Sequence, residues 1–468
     1  MIALTLAEVA LVVGGVVDPP DRSDVVVSGP AFLDSRRPEP AGLFLAIDGE
    51  HVDGHDYAAA AVEGGAAAVL GSRTTGLPMV VVTDVQRAVQ QLAAEVLRRL
   101  RRANPALRVV AITGSQGKTS AKDMLAAVLG DAGSTIATFQ SFNNELGLPL
   151  TVLRADAGTA YLVLEMGARG IGHIAQLCAI AAPDVSVVLN VGLAHVGEFG
   201  SRDAIAQAKG EIVEALGQDG VAVLNLDDPR VAAMTGRTVA SVLTFGRSPE
   251  ADVRLDSLEI DDLGRASFEL ENAGRRERVA LRLLGGHQAM NAAATAAVGV
   301  ALRLPLEKVA GSLGGIEVLS PWRMELRERA DGLIVVNDAY NANPDSMRAA
   351  LETLAGIGRR TGRRTVAVLG EMRELGDAAE AEHRTVGSLA TELGIDRVVV
   401  VGQGARAIAQ TALGASFYAS VAEAGEAVRD NVGGADVVLV KASRAAALER
   451  LVRVLLEGSE EQMEEGSA

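Results

Sequence analysis

The segment from Val109 to Leu129 constrains the fold of this chain more than any other. Val109-Val110-Ala111-Ile112-Thr113 is a run of strand formers, Gly114 and Gly117 interrupt it, and Lys118-Thr119 open a stretch in which Met124, Leu125, Val128 and Leu129 recur at helical spacing, with Gly130 placed to end it. A short apolar run followed at once by a stripe of period 3.6 describes a strand, a tight turn and a helix packed back on the strand. Such a strand is covered on both faces and belongs in a parallel sheet layered with helices. The alternation recurs: residues 161–164, 185–190 and 221–226 are strand-like with helical patterns between them, and 333–336, 365–369, 397–401 and 436–440 repeat the scheme. Residues 252–284, with Val253, Leu255, Leu258, Phe268 and Leu270, read as antiparallel strands.

A chain of 468 residues exceeds one ordinary core. The pattern predicts an α/β protein of three domains: a small α/β unit over 1–82, a doubly wound, mostly parallel sheet over 83–319, and a Rossmann-like unit over 320–468. In the first, runs at 25–27, 43–47, 66–70 and 80–82 alternate with turns. The second opens with an amphipathic helix carrying Val85, Val89, Leu92, Val96 and Leu100, which Asn104-Pro105 ends. Aromatic residues make up only 3%, so the cores must be built from Val, Leu, Ala and Ile.

A formal net charge of −16 argues against a nucleic-acid partner. The single cysteine, Cys178, excludes an internal disulfide and a cysteine-rich metal site, and its apolar helical setting marks an inert thiol suited to a reducing cytoplasm. The apolar stretch 1–17 lacks a basic start, is interrupted by Glu8 and runs into Asp18-Pro19-Pro20; it reads as a short helix and strand, not a secretion signal. No run is long and apolar enough to predict a membrane span. The acidic stretch from Glu457 to Glu465 reads as a solvated end.

Gly114-Ser115-Gln116-Gly117-Lys118-Thr119 is where chemistry first shows. A glycine loop between strand and helix bares successive N–H groups at a helix N-terminus, and these with the helix dipole bind phosphate oxygens. Lys118 would reach the β/γ-phosphates of a nucleotide and Thr119 would ligate Mg²⁺. The loop is shorter than the common P-loop, Ile112 standing where the first glycine would be; the competing reading is an ordinary strand-to-helix turn. Only five of the 44 basic residues are lysines, and Lys118, Lys209 and Lys441 all fall in glycine- or motif-rich contexts, where a compact ammonium differs from a guanidinium fork.

Glu165 and His195 each follow a predicted strand, as Thr119 does. Strand ends in a doubly wound sheet share one edge, so hydroxyl, carboxylate and imidazole are predicted to converge there, enough for one or two Mg²⁺ ions. Singly, Glu165 reads equally as a surface acid and His195 as a loop hydrogen-bonder. Lys209, in Gln207-Ala208-Lys209-Gly210-Glu211, is the odd member. It becomes an anionic ligand if carbamylated by CO₂; from spacing alone, an ion pair with Glu211 or a phosphate contact is the simpler reading.

Taken together these residues resemble the Mur ligases over nearly the whole chain. Asp34-Ser35-Arg36, Gly42-Leu43-Phe44 onward to Gly49, and Asp53-Gly54-His55 resemble that family's UDP-binding domain. Thr113 to Thr119 is similar to its short P-loop, and Phe142-Asn143-Asn144 and Asn190 to His195 resemble further central motifs. Asp338-Ala339-Tyr340-Asn341-Ala342-Asn343-Pro344, the run 369–376 followed by His383, Gly197-Glu198-Phe199-Gly200-Ser201, and Lys441-Ala442-Ser443-Arg444 are similar to the members that form the pentapeptide. Two departures are visible: Gln288 stands where a first asparagine is usual before Asn291, and Ala442 where a glycine is usual.

The resemblance implies ATP- and Mg²⁺-dependent joining of D-alanyl-D-alanine to UDP-N-acetylmuramoyl-tripeptide through an acyl phosphate, by a cytoplasmic monomer. It implies catalytic roles for Lys118, Glu165, His195, Lys209 and Arg323, with Lys209 carbamylated and Thr119, Glu165, His195 and Lys209 at the metal. It implies ATP contacts from Gly114, Ser115, Gln116, Gly117, Lys118, Thr119, Asn291, Arg323 and Asp338. Substrate contacts fall to Ser35, Arg36, His55, Asn143, Asn144, Asn341, Asn343, Ser443 and Arg444. For Trp322 core packing is expected. The competing functions are a ligase adding the third residue, a folylpolyglutamate synthase, and a nucleotide-binding regulator without ligase chemistry.

Overall fold

A computed structural model describes residues 1–49, 52–139, 142–192, 196–317 and 320–457. It is an α/β protein built on three large sheets of five, nine and six strands, beside a small pair formed by Leu4–Thr5 and Val26–Val27. Among the described residues no helix is long and apolar enough to cross a membrane.

In the nine-stranded sheet, Arg108–Thr113 runs parallel between Tyr161–Glu165 and Val185–Val188. Its alternate side chains go to opposite faces. Val110 and Ile112 pack with Met124 and Leu125 of the helix Lys118–Gly130. Val109 and Ala111 share the other face with Ile174 and Leu177 of His173–Ile180 and with Ile205 and Ile212 of Arg202–Glu214. The connection leaving this strand therefore turns to one face, while those leaving both neighbours turn to the other. That divergence opens a crevice at the carboxyl end of Arg108–Thr113, where ligands bind in open α/β sheets. Thr135–Ala137 closes one edge, and Val221–Asn225 and Ser241–Gly246 extend the parallel part on the other side. Beyond them Val253–Ile260, Arg265–Asn272 and Arg275–Leu284 form the antiparallel extension expected at 252–284.

The six-stranded sheet is parallel apart from its edge strand Glu325–Glu328. Ile334–Asp338 and Asp436–Lys441 pair so that Asp338 and Lys441 are register partners at the two strand ends. The five-stranded sheet over Val16–Asp18, Met79–Val81, Ala68–Gly71, Leu43–Leu45 and Ala31–Phe32 is parallel except at its first strand.

The amphipathic stripe predicted from Val85 to Leu100 forms the helix Val85–Ala103, capped by Asp84, whose carboxylate accepts the Arg87 N–H at 2.9 Å. The stripe is buried in one continuous core with Leu6, Leu43 and Leu70 of the first sheet region and Val109 and Leu162 of the central sheet. The helix that opens the second unit thus shares its packing between two units, because its apolar arc is wide enough to meet both. Replacing Leu92 by Ala should cost about 2–5 kcal/mol, the usual range for emptying a buried leucine site. Because the core is shared, the loss should move unfolding of both units together, as one denaturant transition followed by fluorescence and circular dichroism. Two separated transitions would show that the units unfold independently.

Candidate active site

A cleft of about 770 Å³ lies between the carboxyl ends of the nine-stranded and six-stranded sheets. It gathers Ser115 to Thr119, Asn143, Asn144, Glu165, Lys209 and Asn291 from the central region. From the third it gathers Arg323, Asp338, Asn341, Asn343, Ser443 and Arg444. His195 lies outside the described residues. Ser35, Arg36 and His55 do not line the cleft.

The glycine loop is held more firmly than its sequence suggests. Asn190 Oδ1 accepts the N–H groups of both Ser115 and Gln116 at 3.0 Å, and its Nδ2 donates to Gln116 O at 3.2 Å. Expectation and structure differ here. The loop does not bare all its N–H groups: those of Ser115 and Gln116 are engaged, whereas those of Gly114 and, at the helix N-terminus, of Gly117, Lys118 and Thr119 have no acceptor among the described residues. Gly117 sits at φ +80°, and a Cβ there would come within 2.5 Å of Asn291 Oδ1. Asn291, steadied by donating to Gln288 Oε1 at 2.9 Å, therefore rests against the loop itself.

Lys118 Nζ donates to Gly114 O at 2.7 Å, folded over its own loop. Burial lowers its pKa, Glu165 opposes that shift, and Arg323 from across the cleft adds to it. Glu165 is buried, with both carboxylate oxygens engaged: Thr119 Oγ1 donates at 2.8 Å and Asn143 Nδ2 at 2.7 Å. Its backbone N–H donates to Thr138 Oγ1 at 3.0 Å. Buried Thr119 and Glu165 and the half-buried Asn143 therefore form one cluster, and the surface-acid reading of Glu165 does not hold.

Lys209 is 4% exposed, and desolvation, reinforced by Lys118, pushes its pKa well below the usual lysine value. The simple ion pair with Glu211 does not form. Glu211 instead accepts the N–H groups of Gly172 at 2.5 Å and Ala175 at 3.0 Å, capping the helix His173–Ile180. Lys209 and Glu211 stand two positions apart on a helix, a spacing that does not bring side chains together.

The third region supplies the opposite wall. Trp322 (φ +62°) and Met324 (φ +49°) hold left-handed backbone on either side of Arg323. The cost of such conformations in non-glycine residues is sustained by the surroundings and concentrates at functional sites. The Arg323 guanidinium lies 4.2 Å from the centroid of the Tyr340 ring, and its buried Nε has no hydrogen-bond partner among the described residues. Asp338 is clamped: Lys441 Nζ stands 2.5 Å from Oδ2, and the Met324 N–H donates to Oδ1 at 3.1 Å. Lys441 also donates to Asn341 O at 2.9 Å.

Several expected substrate contacts already have work within the protein. Asn343 caps the helix Pro344–Thr361 in a capping box with Ser346. Asn144 Oδ1 accepts the Gly147 N–H at 2.8 Å. Ser443 Oγ accepts the Arg373 N–H at 3.0 Å. Arg444 pairs with Glu449 at 2.9 Å and lies 4.5 Å over the Trp322 ring, so Trp322 stacks on a cation instead of filling a core. Arg36 pairs with Asp34 at 2.8 Å on the surface. His55 is buried, with Nδ1 2.6 Å from Asp53 Oδ1 and Nε2 accepting the Ser72 N–H at 2.9 Å.

Sequence reasoning passed over Asn190 as the clamp of the loop, Lys441 as the partner of Asp338, and Arg169, His287, Arg373 and Glu374 as cleft residues. Asn190 was visible as the first residue of a noted motif, but only the fold places it 75 residues away from Ser115 in sequence and in contact with it.

The chain belongs to the Mur ligase family: the family's middle domain matches residues 112–299, its glutamate ligase domain residues 322–444, and its catalytic domain residues 32–112. Within that family it is similar to the UDP-N-acetylmuramoyl-tripeptide--D-alanyl-D-alanine ligase of Mycobacterium tuberculosis, 44% identical over 500 aligned residues that cover 96% of each protein. Its fold superposes on MurF from Acinetobacter baumannii with a TM-score of 0.86 at 31% identity, covering 97% of this chain and 99% of that one. MurF ligase from Thermotoga maritima, solved in complex with ADP, matches at a TM-score of 0.79 and 31% identity over 92% of this chain and 98% of that one.

The clamp on the loop gives a direct test. Asn190→Ala removes three hydrogen bonds and should weaken nucleotide binding by about tenfold, the equivalent of 1.4 kcal/mol, in titrations with a fluorescent nucleotide. Unchanged affinity would show that the loop keeps its shape without the clamp.

Proposed function

We propose that this chain is an ATP-dependent amide-bond-forming ligase that joins D-alanyl-D-alanine to UDP-N-acetylmuramoyl-tripeptide, giving the pentapeptide precursor of peptidoglycan with ADP and phosphate. One observation carries the reading. A phosphate loop with buried oxygen donors, Thr119 and Glu165, faces a second wall bearing Arg323 and the Asp338–Lys441 pair across a single cleft. The curated relative from Mycobacterium tuberculosis bears that activity in its name, and the Thermotoga maritima neighbour was solved with ADP.

In this reading the terminal carboxylate of the tripeptide attacks the γ-phosphorus of ATP and ADP leaves. The amine of D-alanyl-D-alanine then attacks the acyl carbon of the acyl phosphate, forming the amide, and phosphate departs. The protein's part is positioning and charge neutralisation. The N–H groups of Gly117, Lys118 and Thr119 cradle phosphate oxygens, beside Gly114, Ser115, Gln116 and Asn291. Lys118 swings from Gly114 O toward the β/γ-phosphates, and Arg323, with its unpartnered Nε, takes charge on the transferring group. Asp338, already oriented by Lys441 and the Met324 N–H, holds the ribose. Asn341, Ser443 and Arg444 lie on the acceptor side, and Ser35, Arg36 and His55 belong to the unit that carries the UDP end.

Mg²⁺ fits this donor set. The Thr119 hydroxyl and the Glu165 carboxylate are hard oxygen donors held together at 2.8 Å, and magnesium takes one or two carboxylates plus phosphate oxygens. When bound, Mg²⁺ neutralises charge on the phosphates. His195 and a carbamylated Lys209 would complete its ligands. The depressed pKa of Lys209 favours the neutral amine, whose lone pair would attack CO₂; an N–C bond forms as one C=O π bond opens onto oxygen, the nitrogen loses a proton to solvent, and the neutral amine becomes an anionic carbamate with oxygen donors. The enzyme would work in the cytoplasm, as a monomer.

The test is phosphate release with ATP, Mg²⁺ and D-alanyl-D-alanine, with and without the UDP-linked tripeptide, and mass spectrometry of the product. Release only with both co-substrates, and a product heavier by one dipeptide less water, is expected. Joining of a free amino acid to the shorter precursor would show that the acceptor has been misassigned. Lys209→Arg keeps a cation but cannot stand as a carbamate, and should lose turnover by about a hundredfold or more with the fold intact. Full activity of that variant would reduce Lys209 to a simple charge.

A further inference from the structure

Two sequence motifs have no chemical role so far, 197–201 and 369–376, and they meet at the mouth of the cleft. Gly197, in the helical turn Val196–Phe199, lies directly on the backbone of Leu375 and Gly376. A Cβ on Gly197 would stand 2.7 Å from both the Gly376 nitrogen and the Leu375 carbonyl carbon. Reciprocally, a Cβ on Gly376 would stand 3.3 Å from Gly197 Cα. Both sides of this contact are main chain, so neither can yield by a rotamer change.

Gly376 sits at φ +55° and has a conformational reason to be glycine. Gly197 has none: its φ lies outside the left-handed region, and within a helical turn alanine is the better residue. The close approach of the third region is what remains to explain it.

The segment resting on this contact is itself under constraint. Glu374 adopts φ +65°, and both Arg373 and Glu374 line the cleft. His383 Nε2 accepts the Met372 N–H at 2.9 Å, and Ser443 Oγ accepts that of Arg373, so the segment is fixed from within its own region. Toward the central region, Arg169 approaches Glu374 at 3.9 Å with both side chains exposed, an ion pair of the kind that contributes little. The glycine contact is the stiffer of the two.

We propose that Gly197 and Gly376 form a seat on which the third region docks against the central one, and that Gly197 is thereby a positioning residue for ligation. It sets how closely Arg373, Glu374 and Arg323 approach the phosphate loop. This rests on reading the cleft as the ligase active site.

Gly197→Ala and Gly197→Val test it on the full chain, with Gly217→Ala as control, since a Cβ at Gly217 meets nothing within 4 Å. Both Gly197 variants should keep the wild-type circular dichroism and melting temperature. Turnover at saturating substrates should fall in order of side-chain size, alanine by about tenfold and valine by about a hundredfold, the scale of loss for a misplacement near 1 Å. X-ray scattering with a non-hydrolysable ATP analogue should give a larger radius of gyration for the variants than for wild type. Wild-type turnover in Gly197→Ala and Gly197→Val, or unchanged scattering, overturns the seat. If valine disturbs folding, the alanine variant decides. If wild type itself ligates nothing, the functional reading has failed, and scattering alone decides the docking.

Discussion

Glu165 and Lys209 are buried beside the half-buried Lys118, and much of the surrounding structure can be understood as keeping that arrangement tolerable. A buried carboxylate is costly unless its oxygens are satisfied, and Thr119 and Asn143 supply one hydrogen bond to each. Burial favours the neutral form of both lysines; the charge of Lys118 adds to that effect at Lys209, while Glu165 opposes it at Lys118. The site is thus pre-organised for ligands that bring negative charge. In the proposed function, triphosphate oxygens would meet donors fixed by the end of a strand, the start of a helix and a clamped loop, with Lys118 left to reorient.

The three regions are joined by different physics. The first and the central share one apolar core through the helix Val85–Ala103, so their relation is set by burial and is rigid. The central and third meet around a polar cleft, touching at Gly197 and Gly376, at Gly192, where a Cβ would fall 2.2 Å from Asp345 Oδ2, and through Leu284 and Leu263 of the central region, which pack with Met324 and Ile357 of the third. The glycine contacts bury little apolar surface, so the apolar part of this joint rests on Leu284 and Leu263, far fewer residues than the core shared by the first and central regions, and interfaces without a large hydrophobic component allow relative motion. A ligase that must admit three substrates and then exclude water from an acyl phosphate needs one fixed joint and one that can open.

Much of the fold was legible because period-2 and period-3.6 patterns report burial directly. The strand–loop–helix units, the antiparallel stretch at 252–284, the helix beginning near Val85 and the buried Cys178 all follow from them, as do Thr119 and Glu165 at neighbouring strand ends. Less visible were short edge strands such as Thr135–Ala137 and Ser416–Tyr418, which carry too few residues to show a period. Asn143, Asn343 and Ser443 drew attention as polar residues in motifs. A motif does not say whether a side chain faces a ligand or secures its own backbone, and all three hold hydrogen bonds within the protein.

The sequence by itself determined the α/β class, the glycine loop between strand and helix and the residue types gathered at the strand ends, because local propensity and strand-end position depend only on near neighbours in the chain. Tertiary structure alone decided that Asn190 closes the loop, that Glu211 caps a helix and leaves Lys209 unpaired with it, that Lys441 clamps Asp338, and that Gly197 meets Gly376. Each of these joins residues by the register of a sheet, the phase of a helix or the approach of two regions. Those relations are fixed by packing across long sequence separations, and no local pattern encodes them.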